Sequence, residues 1–141
     1  MQLLGHHQTI QQKLYEEIEE VIGNNSVVTL DDLNQMKYLD MVVKEGLRVY
    51  PGVPLFAREL AHDIEFEGYR IRAGQIVVCQ VLTMHRSKEV WGPDADKFDP
   101  DRWLPEREKG RNPYAYIPFS AGSRNCVGQK CMPSRFLMLQ L

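Results

Sequence analysis

Nowhere does this chain carry an apolar run long enough to cross a bilayer. Stretches such as Ile76-Val77-Val78-Cys79 fall far short of the ~20 residues a spanning helix needs. Met1-Gln2-Leu3-Leu4 leads into Gly5-His6-His7, not into the apolar core of a signal peptide. There is no basic stripe with interleaved aromatics, and the formal net charge is -2, which argues against a general nucleic-acid binder. Cysteine is scarce. Cys79, Cys126 and Cys131 are odd in number and include no Cys-x-x-Cys pair, which disfavours both a disulfide scaffold and a structural zinc site and fits a reducing compartment. His6 and His7 are adjacent and make a poor chelate, while His62 and His85 stand alone as solvated or core histidines. What remains is ordinary globular material: 141 residues, 43% hydrophobic and 26% charged, enough for one core.

Apolar spacing organises the front of the chain. Ile10, Leu14, Ile18, Val21 and Ile22 predict an amphipathic helix from about Thr9 to Ile22, with Glu16, Glu17, Glu19 and Glu20 as a solvated acidic face. Gly23-Asn24-Asn25-Ser26 ends it with turn residues. Thr29, before Leu30-Asp31-Asp32-Leu33, predicts an N-cap and a short helix. A second main helix, from about Met36 to Tyr50, buries Leu39, Val42, Val43, Leu47 and Tyr50 and stops at Pro51. A small sheet is expected over residues 53–81, with a hairpin around Gly68 and a strand from Ile76 to Val81. Residues 93–118 lack periodicity and predict an irregular coil held by Phe98, Trp103, Tyr114, Tyr116 and Ile117, with Glu106 to Arg111 as an exposed tip. No repeat or second domain boundary appears, so residues 1–141 read as one partial domain.

The chemistry concentrates near the end, in Phe119-Ser120-Ala121-Gly122-Ser123-Arg124-Asn125-Cys126-Val127-Gly128. This is a glycine-hinged loop that delivers one cysteine, beside an aromatic ring and an arginine, to the start of an apolar segment. A thiolate is the metal-binding form of cysteine, and nearby positive charge or a helix N-terminus favours it. Arg124 and a helix expected from Cys126 onward supply both. Gly122 and Gly128 let the backbone turn and approach a flat ligand, and Phe119 can cover the sulfur. The plain alternative makes Cys126 a small buried hydrophobe. Earlier in the chain, Glu45 and Arg48 share one helical face; taken alone, they form a surface ion pair worth ~0.5 kcal/mol.

The run 119–128 matches Phe-x-x-Gly-x-Arg-x-Cys-x-Gly, and through it the chain resembles the cytochrome P-450 monooxygenases, whose haem-binding loop has this pattern. Glu45-Gly46-Leu47-Arg48 matches the family's Glu-x-x-Arg, and Phe98-Asp99-Pro100-Asp101-Arg102-Trp103 resembles its Pro-x-Arg segment. Thr83-Met84-His85-Arg86 and Trp91-Gly92-Pro93 are similar to the family as well. Asp31-Asp32-Leu33, Met36-Lys37-Tyr38-Leu39 and the run from Ala121 to Lys130 lean toward the microsomal fatty-acid-hydroxylase-like branch.

The resemblance implies an α+β fold, mainly helical: the C-terminal haem-loop portion of the cytochrome P-450 fold with a small β-sheet. It implies that Cys126 is the axial ligand of haem iron, that Arg124 and Arg58 pair with propionates, and that Phe119, Gly122 and Gly128 shape the cofactor site. Without the resemblance, Arg58 reads as a surface arginine. Glu45, Arg48 and Arg102 are implied to form a buried ionic cluster, Val53 to Ala57 to line a substrate cavity, and His85 to support the fold. No catalytic residue is assigned beyond the haem ligand. The implied reaction inserts one atom of dioxygen into a small lipophilic substrate. Its electrons come from NADPH through a cytochrome reductase docking near the cysteine face, where Lys130 contributes.

The full-length parent is expected at the cytoplasmic face of the endoplasmic reticulum membrane, although this chain carries no anchor; no nucleic-acid partner is expected. Three features depart from the pattern. The family's long distal helix, with its acid–threonine pair, would precede Gly5. Gly46 stands where threonine is commoner, and Pro133 would interrupt a helix after Cys126 at ~3 kcal/mol. These departures motivate the alternative of a catalytically inactive truncated isoform or pseudogene product.

Overall fold

The computed structural model describes residues 2–23 and 27–131. Helix α1 (Gln2–His6) leads into α2 (Gln8–Ile22), whose Leu14 is buried and whose Ile10, Ile18, Val21 and Ile22 pack against the same core. Gly23 closes α2 at φ 54°, a left-handed value that favours glycine, and its N–H donates to the Glu19 carbonyl at 2.9 Å. The rest of the predicted turn, residues 24–26, lies outside the described residues. Helix α3 (Leu30–Gln35) begins with a reciprocal cap. The Asp32 N–H donates to Thr29 Oγ1, and the Thr29 N–H donates to the Asp32 carboxylate.

Helix α4 (Lys37–Val49) is held at both ends by charges from neighbouring segments. Glu17 of α2 accepts the N–H groups of Tyr38 and Leu39 at 2.7 and 2.8 Å, taking up two donors that a helix start leaves without partners. At the other end Arg86 donates to the Val49 carbonyl at 2.6 and 3.2 Å. A carboxylate at the N-terminus and a guanidinium at the C-terminus both oppose the helix dipole. Glu17 therefore leaves the acidic face expected to be solvated, because the start of α4 sits against it. Tyr50, expected in the buried stripe, is 62% exposed. Its backbone has already left the helix, at φ -133° and ψ 75°, and that turns it off the stripe.

The strands form two separate antiparallel pairs. β1 (Phe56–Glu59) pairs with β4 (Ile76–Cys79), Phe56 opposite Cys79 and Glu59 opposite Ile76. β2 (Ile64–Phe66) and β3 (Tyr69–Ile71) form the hairpin, turning through Glu67 at φ 50° and Gly68 at φ 81°. The strand expected to reach Val81 ends at Cys79. Val81 instead opens α5 (Val81–His85) and is buried. After α6 (Lys88–Trp91) the expected coil contains short helical turns at Pro100–Trp103, α7 (Pro105–Glu108) and Pro113–Ala115. Each starts on a proline, whose fixed φ suits the first helical position. Tyr114 is exposed and holds nothing; Trp91, Ala95, Trp103 and Ala115 make a second core there. Arg111, expected on an exposed tip, is half-buried over the rings of Trp91 and Trp103, at 4.4 and 5.2 Å.

Glu45 and Arg48 lie where the two cores meet, both fully buried. The Glu45 carboxylate accepts from Arg48 Nε and Nη2 at 2.9 and 2.8 Å, from the Asp99 N–H at 3.0 Å and from Trp103 Nε1 at 3.0 Å. Arg102 Nε stands 3.5 Å from it. The remaining Arg48 donors reach the carbonyls of His85, Ala95 and Lys97. Arg102 also bonds the Trp91 carbonyl and Asp94, which holds the Asp94 carboxyl below its usual range.

His85 is fully buried, and its Nε2 accepts the Ile117 N–H at 3.0 Å. Burial lowers its pKa to about 4, although the Leu47 and Arg48 carbonyls pull the other way. The ring is therefore neutral.

Glu45→Ala strips the fully buried Arg48 guanidinium of its carboxylate and is expected to cost about 3–5 kcal/mol in urea denaturation. Gly46 has ordinary backbone angles, and a Cβ there would meet nothing within 4 Å. Gly46→Ala should therefore raise stability by about 1 kcal/mol in the same assay. Unfolded His85 takes up a proton near pH 6.5, whereas the folded residue resists to about 4. Stability present above pH 6.5 is thus lost as pH falls through that window, by up to about 3 kcal/mol. Parallel denaturation series of wild type and His85→Gln should diverge there, the variant lacking this part of the slope.

Candidate functional site

The chain enters its cysteine loop from Tyr116, through Ile117 and Pro118. The Ser120 N–H donates to the Ile117 carbonyl at 3.1 Å, and the Asn125 N–H to the Gly122 carbonyl at 3.2 Å. The Cys126 N–H donates to the Phe119 carbonyl at 2.9 Å and closes the loop on itself. Two residues, Ser120 at φ 64° and Gly122 at φ 83°, take left-handed backbone angles to make the turn.

The two loop glycines serve different ends. At Gly122 the requirement is conformational, since a Cβ would meet no atom within 4 Å. At Gly128 the angle is ordinary, but a Cβ would lie 3.6 Å from Cys126 Sγ, so its absence keeps space beside the sulfur clear. Past the cysteine, where a longer helix was expected, there is a 3₁₀ segment, Val127–Cys131. Pro133 and the altered run after it, together with the side chains of Lys130 and Cys131, lie outside the described residues.

A cavity of about 610 Å³ opens over the loop. Leu47 of α4, Val53, Phe56 of β1, Val81 of α5, Ile117 and Phe119 supply its apolar walls, and Cys126, Gly128 and Arg124 border it. Among the described residues Arg124 is the charged residue in that lining. Both the size and the mainly apolar wall with few polar groups are usual for a cofactor or small-ligand site. Cys126 is exposed, which removes its reading as a buried packing residue. Phe119 packs on the main core and shares the cavity with the cysteine without burying it.

Other expected residues fall differently. Of Val53 to Ala57, Val53 and Phe56 reach the wall, whereas Leu55 is 53% exposed and does not line it. Arg58 is not in the lining either. It is exposed, donates to the Ala57 carbonyl at 2.9 Å and packs over the Phe56 ring at 5.1 Å, one strand repeat beyond the wall. Leu47, Val81 and Ile117 are the wall residues that sequence reading missed. Leu47 carried only a helical-stripe signal, Val81 looked like the end of a strand, and Ile117 read only as an anchor of the coil.

Among the described residues no group of three or more His, Cys, Asp or Glu side chains could hold a metal ion. Cys126 is the thiol that borders the cavity among the described residues. A second hollow, about 550 Å³, between α3, α4 and Pro100–Trp103 is lined by neither thiol nor imidazole.

Comparison with known proteins places this arrangement. The Cytochrome P-450 family model matches residues 1–131. The chain is 50% identical over 129 residues to cytochrome P-450 4V2 of Rattus norvegicus, covering 91% of this chain and 24% of that protein. It is 48% identical to cytochrome P-450 4c21 of Blattella germanica, covering 90% and 25%. Among solved structures, retinoic acid bound cyanobacterial CYP120A1 superposes with a TM-score of 0.84 at 32% identity, covering 96% of this chain and 33% of that one. The chain thus spans about a quarter of the length of the curated relatives it matches.

This family implies a haem cofactor, and the residues present fit one. The cavity is bordered by a cysteine, and thiolate sulfur is a ligand type that suits haem iron. The wall is apolar, Gly128 keeps the sulfur's flank open, and one arginine borders the cavity to meet an anionic edge. From the family match across residues 1–131, the near-half identity to its members and the shared fold, it follows that the chain belongs to the cytochrome P-450 family.

Proposed function

We propose that this chain is the haem-thiolate portion of a monooxygenase, in which Cys126 would be the protein ligand of the iron. The observation that supports this most directly is the cysteine held on a closed loop at the rim of an apolar cavity that Arg124 also lines. In this reading Cys126 would hold the iron from one face and Arg124 would pair with a haem propionate. Phe119 and Gly122 would shape the loop around the group, and Gly128 would leave the space it needs. Haem, when bound, supplies the redox-active iron at which dioxygen is activated. Leu47, Val53, Phe56 and Val81 would exclude water from that space and offer an apolar surface to a lipophilic substrate. Arg58 lies outside the lining and packs on Phe56, which favours Arg124 as the propionate partner.

For the protein as a whole we propose insertion of one oxygen atom from dioxygen into an organic substrate. Its electrons would be drawn from NADPH through a cytochrome reductase at the endoplasmic reticulum membrane. Among the described residues no helix is long and apolar enough to cross a membrane.

The test is a haemin titration of the chain, then reduction under carbon monoxide, beside Cys126→Ala. The wild type is expected to show the strongly red-shifted Soret band of a thiolate-ligated carbonyl complex, and the variant to lose it. The same histidine-like or free-haem spectrum from both would overturn the assignment.

A further inference from the structure

We infer that His85 is a positioning residue for the cysteine loop, its neutral Nε2 fixing the Ile117 backbone from which that loop departs. The inference rests on Cys126 being the axial ligand and adds a residue that touches neither the cavity nor the sulfur.

His85 joins three parts of the molecule. Its carbonyl accepts Arg48 Nη1 at 2.7 Å, which ties it to the buried cluster on α4. Its ring stacks on Tyr116 at 5.2 Å between centroids. Its Nε2 accepts the Ile117 N–H at 3.0 Å. An N–H donor can be met only by an unprotonated nitrogen, so the proton of the neutral ring resides on Nδ1.

From Ile117 the path to the cysteine is short. The Ile117 carbonyl accepts the Ser120 N–H, and the Phe119 carbonyl accepts the Cys126 N–H. Ile117 and Phe119 are also cavity walls. Losing the acceptor would orphan a part-buried backbone donor and free the start of a loop whose left-handed turn at Ser120 persists only when its surroundings hold it. The Nδ1–H faces the Leu47 and Arg48 carbonyls of α4 outside close hydrogen-bond geometry, so the ring's one well-formed bond is the one its Nε2 accepts from Ile117. A residue that merely filled the core would serve as well as an apolar ring.

Two substitutions separate acceptor from ring. His85→Phe keeps an aromatic ring beside Tyr116 and removes the acceptor; His85→Gln places an oxygen near the Nε2 position. In the haemin-loaded, reduced, carbon-monoxide-bound protein, His85→Phe should lose most of the thiolate-type Soret band while its far-ultraviolet circular dichroism matches wild type. His85→Gln should retain the band. A wild-type band in a folded His85→Phe overturns the inference alone, whereas a wild type without the band overturns the ligand assignment and this inference together. Should His85→Phe not fold, the wild type decides through the nitrogen–nitrogen scalar coupling across the Ile117–His85 hydrogen bond. Its detection supports the role, and its absence contradicts it.

Discussion

Arg48 has five N–H donors, and every one is engaged inside the protein: two on the Glu45 carboxylate and three on the carbonyls of His85, Ala95 and Lys97. A guanidinium taken wholly out of water is tolerable only when paired and saturated in this way. The constraint runs outward from there. To satisfy Arg48, the end of α5 and the stretch from Ala95 to Lys97 must converge on one face of α4. To satisfy Glu45, Asp99 and Trp103 must arrive on the same side. Segments with little regular structure thereby acquire fixed positions.

The loop that carries Cys126 inherits its position from this arrangement. α4 supplies Leu47 to the cavity wall on the turn next to Glu45 and Arg48, and α5 supplies Val81 at one end and His85 at the other. Glu17 and Arg86, bonded to opposite ends of α4, keep that helix in register with α2 and with the segment after α5. The cysteine itself touches none of these charges. Its placement comes from backbone hydrogen bonds and from two glycines used for different reasons, one for its left-handed angle and one for the space beside the sulfur.

The helical frame was legible because periodicity and capping are local. The stripe of α2 and the Thr29 cap are written in residues three or four apart, and they appear as helices within a residue or two of their expected bounds. The α+β class and the family were legible through three short motifs in order. What could not be read were contacts made across the chain. Glu17 looked like one of four solvated acids until α4 was seen to start against it, and Arg111 looked like a loop-tip charge until two indoles were found beneath it. Tyr50 and Tyr114 misled because an aromatic at a helix end or in a coil carries no sign of which way the backbone turns. Ile117 was read only as an apolar anchor of the coil, since its further part is played by a backbone N–H that every non-proline residue has.

The account stands on one bond, that between Cys126 sulfur and haem iron. Iron K-edge X-ray absorption on the haemin-loaded chain tests it most directly, because the method counts the atoms around the metal without relying on a colour or on turnover. The result predicted is one sulfur in the first coordination shell along with the porphyrin nitrogens, absent in Cys126→Ala. A shell of nitrogen and oxygen alone in the wild type would contradict the account.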